Sequence, residues 1–555
     1  MAFGLRFVGM GSEPIRAKSV LSKSFGMLAI GSVLFVGPWS LLGEVVPKEP
    51  HYPPTGLTLL EAVRETLAHD PNIQLQEQQV KVEEGLEKSA AGQFDLSFNT
   101  ALSQGVTRVP RTVTDRNVSG FPDELTAVQD VTVFRAGVTN QFRTGISLDT
   151  GVELDRFADN LYQTVPANRA NVSFVLRIPL LRGAGRAATD ALEQAAHVSR
   201  EAAVLDLQHA IAARILNTIA AYWNCRLATE QLEVLTNSQS QAASLVEAVR
   251  GLVRIGEMAS SELLQAEGDA AQKMAAVNAG EQSLWQARQD LAQAIGWALA
   301  KMNNPPLPAF AFPSLDTNTP GLRLDEETLV VRSLERRADY QSAQKAQEAA
   351  RILEVAARKN TRPQLDLSLQ AGYSGLSESH SVGAFFWSLN PLPVSGPNVF
   401  GTLSMEWPFA NRTAQGFLQQ RTAEEHQTQL RSQALARTIQ AGVLVALRDL
   451  EHSRAAWEKL QSAVQTYDRA VVQEQQKLRL RTSTILDVIT LKDRMQSAQL
   501  NEVAARARYW TALARCRYET GWLVRPGATP EGHLTMEDLV TLPPWDKEEP
   551  GRPSR

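Results

Sequence analysis

The sequence predicts an α+β chain in which amphipathic strands run directly into very long paired helices, with the whole plan given twice. Three observations carry this. The two halves match without a gap at a constant offset of 225 residues, Arg254–Trp297 against Arg479–Trp522. Each half contains stretches of period two that end at a proline. Each half then continues as heptad-spaced apolar residues over a length that no compact domain needs.

At the amino terminus Arg6, Arg16, Lys18 and Lys23 precede an apolar run from Phe25 to Val36, so residues 1–43 read as an export signal. The alternative is an uncleaved anchor reaching Leu42, but Pro38 interrupts it and the unbroken part is short beside the ~20 residues of a spanning helix. No cysteine stands nearby, which argues against an amino-terminal lipid anchor. Beyond this segment no apolar run reaches the length of a membrane helix, so any later insertion into a bilayer has to use strands.

The first repeat, residues 44–302, opens on a helix: Glu61–Gln74 lines up with Thr328–Gln341 of the second. A strand follows in which Phe94, Leu96, Phe98, Thr100 and Leu102 alternate with Asp95, Ser97, Asn99, Ala101 and Ser103, one face for an apolar medium and one for water. Leu365, Leu367, Leu369, Ala371 and Tyr373 repeat it. The second strand of each half runs through Val172, Phe174, Leu176 and Ile178 to Pro179, and through Val399, Gly401, Leu403, Met405 and Trp407 to Pro408. Lengths of about 9 to 11 residues suit a tilted bilayer crossing, although a soluble sandwich alternates in the same way. Only the first half carries an added hairpin, residues 131–156, Val131–Phe142 and Ile146–Leu154 turning at Arg143-Thr144-Gly145. It could join a barrel wall or cap its mouth. The corresponding stretch of the second half, Gly375–Pro397, is a loop rich in Ser, Pro and aromatic residues.

The helix pair of the first half shows Leu263, Ala270, Val277, Leu284 and Leu291 spaced by seven, as are Leu235, Ala242 and Val249, with Leu245 and Leu252 interleaved. A continuous helix from Ala187 to Arg250 would be roughly 95 Å long at 1.5 Å per residue. Trp285, Trp297, Trp510 and Trp522 match in pairs and read as packing residues near helix ends, with Gly296 and Gly521 as helix stops. Cys516 takes the place of Leu291, so it and Cys225 read as small core residues. Residues 303–326 form a Pro-rich linker, residues 327–525 the second repeat, and residues 526–555 a tail without regular pattern.

Composition excludes several function classes. With 56 Lys+Arg against 60 Asp+Glu the net charge is -4, so no cationic field draws in nucleic acid. The cysteines form no CxxC, and the eight histidines no HxxxH, so no metal or cofactor is implied. No Ser/His/Asp or Cys/His arrangement suggests a nucleophile, and the chain is expected not to be an enzyme. Gly183–Ala188 matches G-x-G-x-x-A after a strand, with Asp206 some twenty residues on. A dinucleotide site is nevertheless rejected: the second copy has Ala410, Asn411 and Arg412 there, and the following helix is too long for a βαβ unit.

Short two-faced strands joined to such helices are what a barrel continued by a helical tunnel requires. The order helix, strand, strand, helix, helix, given twice, resembles the TolC-like outer-membrane factors over the chain after the signal. Ile178–Ala188, with Pro179 and Gly183, resembles that family's barrel–helix junction, and Trp407–Gln415, with Pro408, is the second copy. The resemblance implies an α+β membrane protein with transmembrane β-barrel strands continuous with a long α-helical coiled-coil barrel, two repeats per chain, trimeric. It implies a passive export channel in the outer membrane with its helices in the periplasm. Its partners would be two further copies, outer-membrane lipid, a periplasmic adaptor protein and an inner-membrane pump of the RND or ABC type. The helical turns at Gly256 and Ser261, and at Thr482 and Thr484, would then be the adaptor-docking tips. Asp487 matches an acidic residue ringing the entrance, and Glu262 an acidic residue of the gating links; both also read as ordinary solvated helix charges. Ser483 stands where that family has a gating Arg, for which Arg481 or Arg479 could substitute, and Thr490 where it has a second entrance Asp. The alternative is a periplasmic coiled-coil scaffold without channel activity, which would use the heptads but not the two-faced strands.

Overall fold

The computed structural model describes residues 56–297, 307–309, 311–313, 326–390, 395–480, 482–524 and 535–543. The expected signal at 1–43, Arg481, and most of the linker and tail lie outside the described residues.

The first repeat begins with α1 (Leu59–His69) and α2 (Pro71–Ala91). Thr58 and Glu61 close a capping box on α1, and Asp70 ends that helix while accepting from the Asn72 and Ile73 amides to start the next, with Pro71 in its first position. Then come β1 (Ser97–Pro110), α3 (Val113–Ser119), β2 (Thr126–Gln141), β3 (Ser147–Asp159), β4 (Ala167–Pro179), α4 (Arg186–Thr189), α5 (Ala191–Arg254) and α6 (Ser260–Ile295). The second repeat has α7 (Glu326–Arg336), α8 (Ala338–Asn360), β5 (Gln364–Glu378), α9 (Val382–Trp387), β6 (Ser395–Glu406), α10 (Arg412–Arg479) and α11 (Ile485–Glu519), followed by α12 (Met536–Val540). The helix expected from Ala187 is interrupted at buried Asp190, whose carboxylate accepts from Arg186 and Gln194 on either side. The unbroken helices α5 and α10 still hold 64 and 68 residues.

All six strands form one antiparallel sheet in the order β1-β2-β3-β4-β5-β6. They are longer than the alternating cores suggested, 16 residues in β2 and 15 in β5, because ladder pairing continues past the apolar band into polar ends. The register sorts the two faces. Phe98, Val138, Thr150, Phe174, Ala371 and Val399 stand in one row across the sheet, and Leu102, Phe134, Leu154 and Ala170 in another on the same side. The opposite side carries Asn99, Gly137, Gly151, Ser173, Gly372 and Asn398, and beside them Arg135 bonded to Glu153 at 2.8 Å. On the apolar side Phe98, Leu102, Phe174, Val399, Leu403 and Met405 are each more than half exposed. Strands β1 and β6 have one neighbour apiece, so the sheet of a single chain is open at both edges.

At the strand ends away from the long helices, α9 lies on the apolar face. Phe385 packs with Leu154 and Ala170, while Val382, Phe386 and Trp387 point outward and are largely exposed.

The main core is a belt partway along the helices, where α1, α5, α6, α10 and α11 meet around Ile215, Ile219, Tyr222, Trp223, Leu291, Ile439, Leu450 and Leu513. Cys225 and Cys516 are both in it, fully buried, and burial pushes each thiol up to about 12. Gly296 and Gly521 end α6 and α11 with φ of +80° and +71°. Each abuts the break between the two opening helices of its own repeat: a Cβ on Gly296 would stand 2.8 Å from the Asp70 Cα, and one on Gly521 3.0 Å from the Arg336 Cβ. The repeat is thus one of packing as well as sequence.

Two further expectations need correction. Trp285 is exposed, not a packing residue, whereas the ring of its counterpart Trp510 is covered by Trp223 and Tyr509; at the place of Tyr509 the first repeat has Leu284. Leu252 is also exposed, two residues before α5 ends at Arg254 and the chain turns at Gly256. In the Pro-rich linker, Pro308 bridges to Leu57 and Phe312 stacks on Trp223 at 5.3 Å. The tail likewise packs, with Leu539 buried and the Thr541 carbonyl accepting from Arg517 at 2.7 Å.

Candidate functional site

The two helical hairpins α5–α6 and α10–α11 turn back at tips that share one small apolar cluster. Val246, Val249 and Ala266 of the first pack with Ile485 and Ile489 of the second, flanked by Leu263, Met258 and Leu478. The structure therefore brings together the two tips that carry the candidate residues. At the first, Gly256 takes φ of +74° and its amide donates to the Val253 carbonyl at 3.0 Å, a left-handed reversal that favours glycine. Ser261 and Glu262 stand in the opening turn of α6, which has no side-chain cap, and Glu262 has no side-chain hydrogen bond or ion pair among the described residues.

The second tip is built differently. Thr484 caps α11: its Oγ1 accepts from the Asp487 amide at 3.2 Å, while its own amide and hydroxyl donate to the Asp487 carboxylate at 3.1 and 2.7 Å. Ser483 donates to Glu474 and, at 3.4 Å, to Asp487. The Thr484 hydrogen bonds hold the Asp487 carboxyl below its ordinary value of 3.8. The Thr482 amide donates to the Lys477 carbonyl at 3.0 Å. Asp487 is thus an exposed charge and a structural cap at once. Since its pKa is depressed in the fold, the cap's contribution is complete above 3.8 and is lost as pH falls through the lower folded value. Thr484→Ala is expected to speed amide exchange at Ile485 to Val488 while leaving the first tip unchanged; equal exchange in both proteins would remove the capping role.

Above the tips a polar tie joins the hairpins, and no periodicity in the sequence points to it. Lys273 of α6 bonds Asp493 and, at 2.6 Å, Gln496 of α11, which also accepts from Ser238 of α5 at 2.7 Å. Beside it, burial raises the Asp269 carboxyl and lowers the Lys492 ammonium. Heptads show that charges flank a seam, but which of them cross to another hairpin depends on the three-dimensional stagger.

At the other end of the helices, strands pass into helices through two tight junctions. Pro179 ends β4, Gly183 and Gly185 take φ of +78° and +82°, and the Thr189 hydroxyl donates to the Gly183 carbonyl at 2.9 Å. In the second copy Pro408 follows β6, and the left-handed position falls to Asn411, whose side-chain amide donates to the Thr361 carbonyl at 2.8 Å. The glycines at 183 and 185 serve this reversal, and the helix directly after them, α4, has four residues. Among the described residues no group of three His, Cys, Asp or Glu could hold a metal ion, and no helix is long and apolar enough to cross a membrane.

No protein-family model matches the chain, and no curated protein does. Solved structures do match. The Campylobacter jejuni CmeC outer membrane channel covers 89% of this chain and 91% of its own length at TM-score 0.61 and 13% identity. The outer-membrane channel OprN gives TM-score 0.59 at 14% identity over 84% of this chain and 90% of its own. The outer membrane protein VceC of Vibrio cholerae gives 0.59 at 15% over 83% and 96%. The fold is that of the outer-membrane channels.

Within the outer-membrane channel fold, this chain's tips and junctions lie at opposite ends of α5 and α10, separated by roughly 95 to 100 Å of helix. Trp407 and Phe409, stacked at 6.3 Å and exposed, flank the second junction.

Proposed function

We propose that the chain is a TolC-like outer-membrane channel, a passive exit duct that works as a trimer and catalyses nothing. The observation that carries this is the six-stranded sheet, apolar on one face and polar on the other, joined through two tight turns to helices long enough to cross a compartment. In hydrocarbon an open sheet edge leaves backbone groups unpaired at several kcal/mol each, so the edges of β1 and β6 call for neighbouring copies. The helices call for them too: Leu264, Met274 and Trp285 recur every three turns of α6 and are exposed along one stripe. Aromatic residues at both ends of the apolar face, Trp407 and Phe409 near the helices and Phe386 and Trp387 at the far end, suit the two interfaces of a bilayer.

On this reading the strands stand in the outer membrane and the helices in the periplasm. The tips at Gly256, Ser261, Thr482 and Thr484 meet a periplasmic adaptor, and an inner-membrane pump of the RND or ABC type supplies the free energy. A periplasmic scaffold would use the same coiled coils but has no use for a large apolar sheet face. Fractionation, sizing of the detergent-extracted protein and planar-bilayer recording test the reading together. The expected result is an outer-membrane trimer that conducts; a freely soluble monomer without ion current overturns it.

Three copies of Asp487 and Glu262 around a threefold entrance would concentrate cations. The double variant Asp487→Ala, Glu262→Ala is therefore expected to lower cation selectivity, whereas Thr484→Ala, which removes the cap but keeps the charge, is expected to preserve it. Unchanged selectivity in the double variant rules out the entrance role.

A further inference from the structure

Resting on that reading, we propose that the hairpin β2–β3 is part of the barrel wall, so that each copy contributes six strands and the trimer closes an 18-stranded barrel, β1 of one copy pairing with β6 of the next. The hairpin is laddered on both flanks, from Ser97–Thr139 to Pro110–Thr126 on one side and from Ser147–Arg177 to Phe157–Ala167 on the other. It also continues both faces of the sheet, Phe134 and Val152 on the apolar side, Arg135 and Glu153 on the polar side. A cap over the mouth would need no such division.

Its turn is fastened to the strand–helix junction. Arg143 makes a two-pronged pair with Glu193 of α5 at 2.7 and 2.6 Å and lies 4.8 Å from the Phe94 ring centroid. The Gly185 amide donates to the Thr144 carbonyl at 3.0 Å, and a Cβ on Gly145 would stand 2.3 Å from the Gly183 carbonyl oxygen. Parity agrees as well. An inserted hairpin adds one strand in each direction, so β1 still runs away from the long helices and β6 toward them, and the two edges of adjacent copies meet antiparallel.

With strands about 4.8 Å apart and tilted about 40°, 18 strands close at a backbone diameter of roughly 36 Å, against roughly 24 Å for 12. An outlet that wide is a water-filled pore and does not sieve small cargo. Selection by size then falls to the helical tips, and the outer end serves as a wide vent.

Electron cryo-microscopy of the full-length protein in lipid nanodiscs tests the strand number directly. The expected wall has 18 strands with residues 126–159 within it. A trimeric channel with a 12-stranded wall and the hairpin outside it overturns this inference alone, whereas a protein that never enters the membrane overturns the channel reading beneath it. Neutral-polymer exclusion from the strand side is a second measurement. Deleting residues 126–159 is expected to lower the backbone diameter about 1.5-fold, the ratio of strand numbers, and the largest admitted diameter by at least that factor, since the side-chain lining keeps its thickness; an unchanged limit in an assembled variant counts against the proposal. If the deleted chain does not assemble, the strand count of the natural protein decides.

Discussion

Arg337→Ala is expected to cost about 3–5 kcal/mol of unfolding free energy, measured by denaturant titration of the detergent-extracted protein, because it removes the guanidinium from a buried ionic network and leaves two carboxylates behind, with only the His209 imidazole 3.8 Å from one of them. Arg337 sits at the break between α7 and α8 and is 8% exposed. Its guanidinium grips both Asp339 oxygens at 3.0 and 2.7 Å and reaches Glu519 at the end of α11 at 2.5 Å. Glu519 is accommodated by Gly442 of α10, where a Cβ would lie 2.7 Å from its carboxylate. One side chain thus ties the α7–α8 break to the end of α11, and Glu519 in turn lies against α10. Burial alone would raise the Asp339 carboxyl, but the Arg337 hydrogen bonds and charge outweigh it and hold it below its ordinary value of 3.8. Its stabilisation is therefore complete above 3.8 and disappears as pH falls through the lower folded value. In the variant, burial acts without its counterweight, so the deficit should be greatest near neutral pH and shrink as the carboxylates protonate. Arg337→Lys should recover only part of the loss, since an ammonium cannot form the fork. A loss below about 1 kcal/mol at neutral pH would mean that the network is solvated rather than buried.

Trp223→Ala should lose a comparable amount, about 3–5 kcal/mol in the same titration, through lost contact and a cavity the belt cannot close. The indole is 1% exposed. It stacks on Phe312 at 5.3 Å and 25°, meets Tyr222 edge-on at 5.2 Å, and lies 6.2 Å from Trp510. These rings come from the first repeat, the connecting segment and the second repeat, so removing one loosens the join between halves. Trp223→Phe should retain roughly half of the stability at issue, because a smaller ring still fills part of the space. If Trp223→Ala unfolds at the denaturant concentration of the parent, the belt has another centre.

The features that repeat were the legible ones. The gap-free offset that pairs Gly296-Trp297 with Gly521-Trp522 corresponds to two helix ends of like geometry, each against the break in its own repeat. The alternation at Phe98–Leu102 and Leu365–Tyr373 corresponds to one face of one sheet. What sequence left out lies where a single residue meets a distant one. No periodicity distinguishes Lys273, which crosses to Asp493, from other charges beside the seam. Trp285 and Trp510 match in sequence yet differ in exposure, because burial depends on which aromatic neighbours the fold delivers. Asp487 shows a further ambiguity: the T-x-x-D spacing of a capping box and a charge facing an entrance are the same letters, and geometry reveals that the cap is made.

The small helix α9 has a mechanical consequence. Phe385 fastens it to Leu154 and Ala170, so Phe386 and Trp387 project from the sheet as a fixed ledge near its free rim. In a wall that faces lipid, hydrocarbon rising along the strands meets this ledge, while Trp407 and Phe409 form a matching collar at the opposite rim. On the proposed channel reading, a protein gripped at both levels has little vertical float, and the depth at which it rides decides how far its helical stem hangs toward whatever waits below.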